Sequence, residues 1–405
     1  MSAAAGGRFQ AAPTRQFVLF AHGFRPFFLL AALDSLINMG VWLTVYIHPG
    51  IWPAWAIPAM YWHAHEMLFG FVAAAIGGFL LTAVPGWTGR TSYSGAPLIS
   101  LIVLWFAGRI AMVPLGILSP VAASMIDLAF FPALILVLAP PLIRARKFRN
   151  LPFIGILTIL FAADLCFHLG ANGVLGAGEQ IGLSIAIDIV LILIVIVGGR
   201  IIPAFTKSGL ARHGIVVQVQ TNKWIESLST ISIAAVLIVD LVMPFSALNG
   251  AVALAAALAQ ALRLAQWHGH RTLRDPLIWV LHLGYAWLVT GLLLKAIWLL
   301  TAAPFAEKWI HALTAGAFTT MILAVMARAS LGHTGRMLVA PRNIAVCYGL
   351  VTLAALIRVF APAIFPDRYG EIVMASGMLW IGAFALFLWI YAPILARPRV
   401  DGRPG

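Results

Sequence analysis

The sequence predicts an all-α, polytopic membrane protein of about twelve transmembrane helices, and three observations carry that reading. Of 405 residues, 62% are hydrophobic and 10% charged, against the roughly half apolar and one-quarter charged make-up of a soluble domain. Apolar runs of about 20 residues, the length a helix needs to cross the hydrocarbon core, recur along the whole chain. Basic residues gather on alternate connections, as they do on the inner side of a membrane.

The runs lie near residues 24–47, 62–86, 96–117, 120–142, 151–171, 179–202, 224–244, 247–267, 277–301, 305–329, 342–362 and 370–395. The first precedes His48, and the second opens on Trp62-His63-Ala64-His65-Glu66-Met67. Between the fourth and fifth stands the basic cluster Arg144, Arg146, Lys147 and Arg149; the fifth ends on Asp164-Leu165-Cys166-Phe167-His168-Leu169. The sixth closes on Gly198-Gly199-Arg200, and residues 203–223 form the longest connection, expected to lie along the inner surface. The ninth carries His282 and the tenth opens on His311.

Topology follows from charge. Of the 26 basic residues, only Lys308 and Arg368 fall in outer connections, while Arg109, Lys295 and Arg358 lie within spans. Both termini are therefore expected in the cytoplasm: residues 1–23 as a cytoplasmic segment, 24–395 as one integral domain, and 396–405 as a cytoplasmic tail. The first apolar run has the length of a true span and lacks a small-residue cleavage site, so it is expected to be retained. The net charge of +13 marks the inner side of the bilayer rather than a nucleic-acid surface, which would gather its charge on one soluble face with polar and aromatic readers. Cys166 and Cys347 have no metal or redox spacing and read as packing residues.

An internal repeat links the second and tenth runs. His65, Gly70, Ala83, Thr88, Gly89 and Arg90 share the spacing of His311, Gly316, Ala329, Thr334, Gly335 and Arg336. With the arginine that ends the sixth run, this points to three sets of four helices. Close helix packing explains the glycines, and helix closure explains Thr-Gly-Arg; neither explains the histidines. Ionisable groups within a membrane are costly and mark functional sites. Two imidazoles at equal depth predict a haem b held from both faces by His65 and His311, near the outer side.

Residues two apart on a helix point about 200° apart, which leaves His63 for a second metal, copper or iron, with Glu66, His168 or His48 as partners. His282 lies nearer the inner end and would need a separate partner or role. His22, His213, His268, His270 and His333 read as interfacial. Asp127, Asp164 and Asp188 share the outer halves of their spans with Arg109, Lys295 and Arg358, which predicts ion pairs; Arg109 and Arg358 are also candidates for holding haem propionates.

These residues also carry a family resemblance. Gly23-Phe24-Arg25-Pro26-Phe27-Phe28-Leu29, the run from Trp62 to Phe71, Gly78-Phe79-Leu80-Leu81-Thr82-Ala83-Val84-Pro85 and Leu331-Gly332-His333-Thr334-Gly335-Arg336 resemble the NnrS family, over about residues 17 to 395. Gly86 stands where an Asn is expected before Trp87, and His22 and His48 are not motif positions. The resemblance implies a bacterial inner-membrane protein with haem and copper, acting in the nitric oxide response and in protection against nitrosative stress. Catalytic subunits of haem-copper oxidases and nitric oxide reductases are similar in architecture, with twelve helices in three arcs and haem ligands on helices two and ten. Here, however, Trp309 stands two residues before His311 and runs six and seven lack histidine, against a binuclear centre of that type.

The leading expectation is a haem b and copper protein of the membrane that binds nitric oxide or a related small molecule. If it is an enzyme, it is a haem-dependent oxidoreductase acting on nitric oxide. A transporter of copper or a small metabolite is one alternative, and an oxidoreductase drawing on quinol or another electron donor is the other.

Overall fold

A computed structural model describes residues 18–402 except Trp55, His213, Gln220 and Thr221; the expected interfacial position of His213 thus lies outside the described residues. Within them the chain forms helices α1 (Phe24–Ile47), α2 (Ala59–Thr88), α3 (Ala96–Ala111), α4 (Pro120–Arg144), α5 (Phe148–Ala171) and α6 (Gly178–Arg212). They are followed by α7 (Lys223–Val242), α8 (Ala247–Ala265), α9 (Pro276–Thr301), α10 (Pro304–His333), α11 (Ile344–Ile364) and α12 (Pro366–Ala396). Eleven are long and apolar enough to cross a bilayer; α3, at 16 residues, is shorter. No strand occurs among the described residues.

Two helix ends differ from the apolar pattern for local reasons. Helix α3 stops at Ala111 rather than continuing to 117, because Pro114 disfavours helical backbone before it and Gly116 adopts a left-handed φ of 70°. Helix α6 runs past Pro203 to Arg212, so half of the expected surface connection is a helical extension. Its end is held by Arg212, whose guanidinium donates to Asp275 Oδ2 at 2.8 Å, and Asp275 in turn caps α9 by accepting from the Leu277 N–H.

Consecutive helices pack as neighbours, and α1 packs against α12 as well as α2, so the chain closes into a ring. The second helix of each set of four, α2, α6 and α10, turns inward, and the three meet on the axis. Val72, Ile76, Val190, Ile194, Met321 and Val325 line a small apolar crevice there. Leu136, Ile231, Leu258 and Trp389 face outward, as side chains bounded by lipid do. The first and last helices are tied where the Arg25 guanidinium donates to the carbonyls of Leu395 and Arg397 at 2.5 and 2.9 Å.

The repeat has a backbone counterpart. A π-helical turn begins at the residue after each matched histidine, Glu66–Val72 in α2 and Ala312–Phe318 in α10. Such wide turns shift the helix face and recur at functional sites. Each contains the repeat glycine, where a neighbour comes too close for a side chain. A Cβ on Gly70 would stand 2.6 Å from Asp34 Oδ2, and one on Gly316 would stand 2.6 Å from the Trp287 ring. At the other end of α2, Gly89 takes a left-handed φ of 69° as the cap, which explains the glycine of Thr-Gly-Arg.

Candidate metal centre

At the end of the ring opposite the terminal helix ends, α2, α3, α4 and α5 bring charged side chains together in the interior. Asp164 and His168, four residues apart, share one face of α5, while α2 supplies His65 and Glu66. Asp127 comes from α4. All five are at most 3% exposed. His65 Nε2 lies 3.1 Å from Asp164 Oδ1 and 3.2 Å from Asp127 Oδ2, and His168 Nε2 lies 2.9 Å from the same Asp127 oxygen. One ligand atom from each of His65, Asp127, Asp164 and His168 falls within 4.8 Å of the others.

Supporting contacts fix these groups. Glu66 Oε1 sits 3.1 Å from His65 Nδ1, which directs Nε2 toward the aspartates in the carboxylate–histidine arrangement common around metal ligands. The Arg109 guanidinium donates to Glu66 Oε1 at 2.8 Å and also to Asp127 Oδ1. Asn172 donates to the carbonyl of His168 at 2.8 Å and to Ser124 Oγ at 3.0 Å, fixing the end of α5. A cavity of about 340 Å³ at this end of the ring, with Trp62, Met112 and Ser124 in its wall, reaches His168.

Carboxyl groups outnumber guanidinium groups in this cluster. Asp34, whose Oδ2 is buried without a hydrogen-bond partner, faces Arg109 across Gly70. Four carboxylates thus surround one guanidinium. His65 Nε2, placed between two carboxyl oxygens, needs a proton on itself or on one of them, or a cation in its stead. So many buried carboxyls need protons or a bound cation to balance them. Two imidazoles with two carboxylates form a mixed nitrogen and oxygen donor set of the kind that holds divalent transition metals.

The structure regroups the histidines named from the sequence. The register match paired His65 with His311 and left His63 for Glu66 or His168; instead, Glu66 and His168 stand with His65. His311 lies within electrostatic reach of His63, Arg358 and Lys308, and His63 stacks on Trp42 with ring centroids 4.7 Å apart. His282 is distant from both groups, buried beside Gly269, with its Nε2 2.9 Å from Thr206 Oγ1. His48 is exposed at the end of α1. Of the expected ion pairs, Arg109 meets Asp127. Lys295 pairs with Asp240 and has Asp188, one of the aspartates named for it, within electrostatic reach, and Arg358 donates to the Tyr369 hydroxyl at 2.9 Å.

From the sequence, Asp127 and Asp164 read as ion-pairing groups rather than ligands. The one local signal was the four-residue spacing of Asp164 and His168. Asp34, Asp240 and Tyr369 carried no signal of their own.

Fold and site together define a multi-pass helical membrane protein with a buried imidazole–carboxylate cluster suited to a metal ion. The chain belongs to the NnrS family: the family model described as NnrS protein matches residues 18–399. No curated protein matches it.

Proposed function

We propose that the protein binds copper and haem b in the bacterial inner membrane and acts in the response to nitric oxide and nitrosative stress. Copper is assigned to His65, Asp127, Asp164 and His168. Family membership supports the biological role. The observation that carries the copper assignment is the convergence of four buried ligand atoms, from His65, Asp127, Asp164 and His168, within 4.8 Å of one another, a nitrogen and oxygen donor set that suits Cu(II).

The chain's residues divide the work at this centre. Glu66 holds the ring of His65 and Arg109 holds Glu66 and Asp127, so the donor atoms keep their positions. Asn172 steadies His168 at the inner end of the cavity, whose largely apolar wall admits a small uncharged molecule such as nitric oxide. Copper bound here would supply one-electron redox chemistry. The basic connections, including Arg144, Arg146, Lys147 and Arg149, favour cytoplasmic termini, which sets the copper site toward the periplasm.

Elemental analysis of the detergent-purified protein from copper-replete cells tests this reading. Stoichiometric copper in the parent, and marked loss in Asp164→Asn and His168→Ala proteins of unchanged helical circular dichroism, is the expected result. Equal copper in parent and variants would reject the site.

A further inference from the structure

The same end of the ring holds a second group of polar side chains with the opposite electrostatic character. His63, two residues from His65 and on the other side of α2, shares the field of Arg358 with His311. The Nδ1 atom of each imidazole is buried without a hydrogen-bond partner. Arg358 and Lys308 lie on the ring of Tyr369, each 5.2 Å from its centroid. Arg358 makes no salt bridge among the described residues, and its Nη1 is buried without a partner.

We propose that His63 and His311 hold the haem iron, with Arg358 placed to receive a propionate. The assignment rests on the haem and copper reading above and replaces His65 with His63 as the partner of His311. Two features carry it. Each imidazole has a buried ring nitrogen with no partner in the protein, a costly condition that ligation or an accompanying contact relieves. The two histidines belong to α2 and α10, helices that meet on the axis.

Charge then selects the occupant. Two neutral imidazoles beside a guanidinium offer nothing to neutralise a bare divalent cation, whose burial there would be strongly unfavourable. Haem iron arrives with the two negative charges of its porphyrin, and its propionates call for cations at the rim. The carboxylate-rich group around His65 has the reverse preference and suits a bare ion. The two histidines of the Trp-His-Ala-His segment thereby serve different metals.

The test uses the full-length protein purified in detergent from haem- and copper-replete cells, with haem, copper and visible and electron paramagnetic resonance spectra measured together. The parent is expected to show a low-spin b-type spectrum. His63→Gly and His311→Gly should lose it, and added imidazole should restore it, a rescue that a misfolded protein would not give. His65→Ala should keep the haem spectrum while losing copper. Arg358→Gln should lower the haem midpoint potential, since a nearby cation favours the reduced form.

An unchanged low-spin spectrum in His63→Gly would overturn the assignment, as would loss of haem in His65→Ala without loss in His63→Gly. Haem-free parent protein with copper bound would overturn it while leaving the copper site standing. Haem bound as expected, with no copper at any site, would uphold it and reject the copper reading instead.

Discussion

The Nε2 atoms of His65 and His168 face a single oxygen, Asp127 Oδ2, at 3.2 and 2.9 Å. One carboxylate oxygen is thus shared by imidazoles from α2 and α5. Without a metal, protons must be shared among the two rings and this oxygen; a bound cation removes that requirement by accepting both imidazole lone pairs and the carboxylate. Asp127→Asn removes one negative charge and disturbs the Arg109 contact. Copper affinity is expected to fall by more than the roughly 10-fold to 100-fold lost when only a supporting partner is removed, measured by competition with a chelator of known affinity.

Arg109 is the single guanidinium among Asp34, Glu66, Asp127 and Asp164. Breaking a buried ion pair by removing one partner costs about 3–5 kcal/mol. Arg109→Gln should therefore destabilise the copper-free protein strongly, and copper should recover part of that loss because it supplies positive charge to the same carboxylates. Thermal unfolding in detergent with and without copper checks this, the expected result being a larger copper-induced rise in Tm for the variant than for the parent.

The two repeat glycines separate packing from metal binding. A Cβ on Gly70 would stand 2.6 Å from Asp34 Oδ2 and 3.0 Å from Arg109 Nη1, whereas one on Gly316 meets the rigid Trp287 ring. Overpacking typically costs about 1–3 kcal/mol, so both Gly70→Ala and Gly316→Ala should lower Tm. Only Gly70→Ala should also reduce copper content, because Arg109 must move.

Much of this arrangement was legible in the sequence. Apolar runs placed the helices, and the shared spacing of His65 and His311 foretold two matched positions, each of which proves to open a π-helical turn. Helix periodicity also required His63 and His65 to diverge. Which neighbour each would meet depends on how the three sets of four helices close around the axis, and spacing along the chain does not encode that; hence His168 and Glu66 join His65, not His63. The extension of α6 was hidden for a different reason. Beyond Pro203 its stability comes from tertiary contacts, among them Thr206 with His282, buried Leu210 and Arg212 with Asp275, not from a continuous apolar run.

Lys295 provides an independent control. Its ammonium pairs with Asp240, which also accepts from Asn249 at 2.6 Å, in a group formed by α7, α8 and α9. Lys295→Met should destabilise the fold by about 3–5 kcal/mol through the uncompensated carboxylate, yet leave copper content per folded chain unchanged. Denaturant unfolding and elemental analysis of the same preparation report the two quantities together.

The most direct measurement is the electron paramagnetic resonance spectrum of the Cu(II)-loaded protein, read for hyperfine coupling to nitrogen and compared with that of His168→Ala. Coupling to two imidazole nitrogens in the parent, reduced to one in the variant, is the predicted result. A copper signal without imidazole coupling, or one that His168→Ala leaves unchanged, would contradict a metal centre at His65, Asp127, Asp164 and His168.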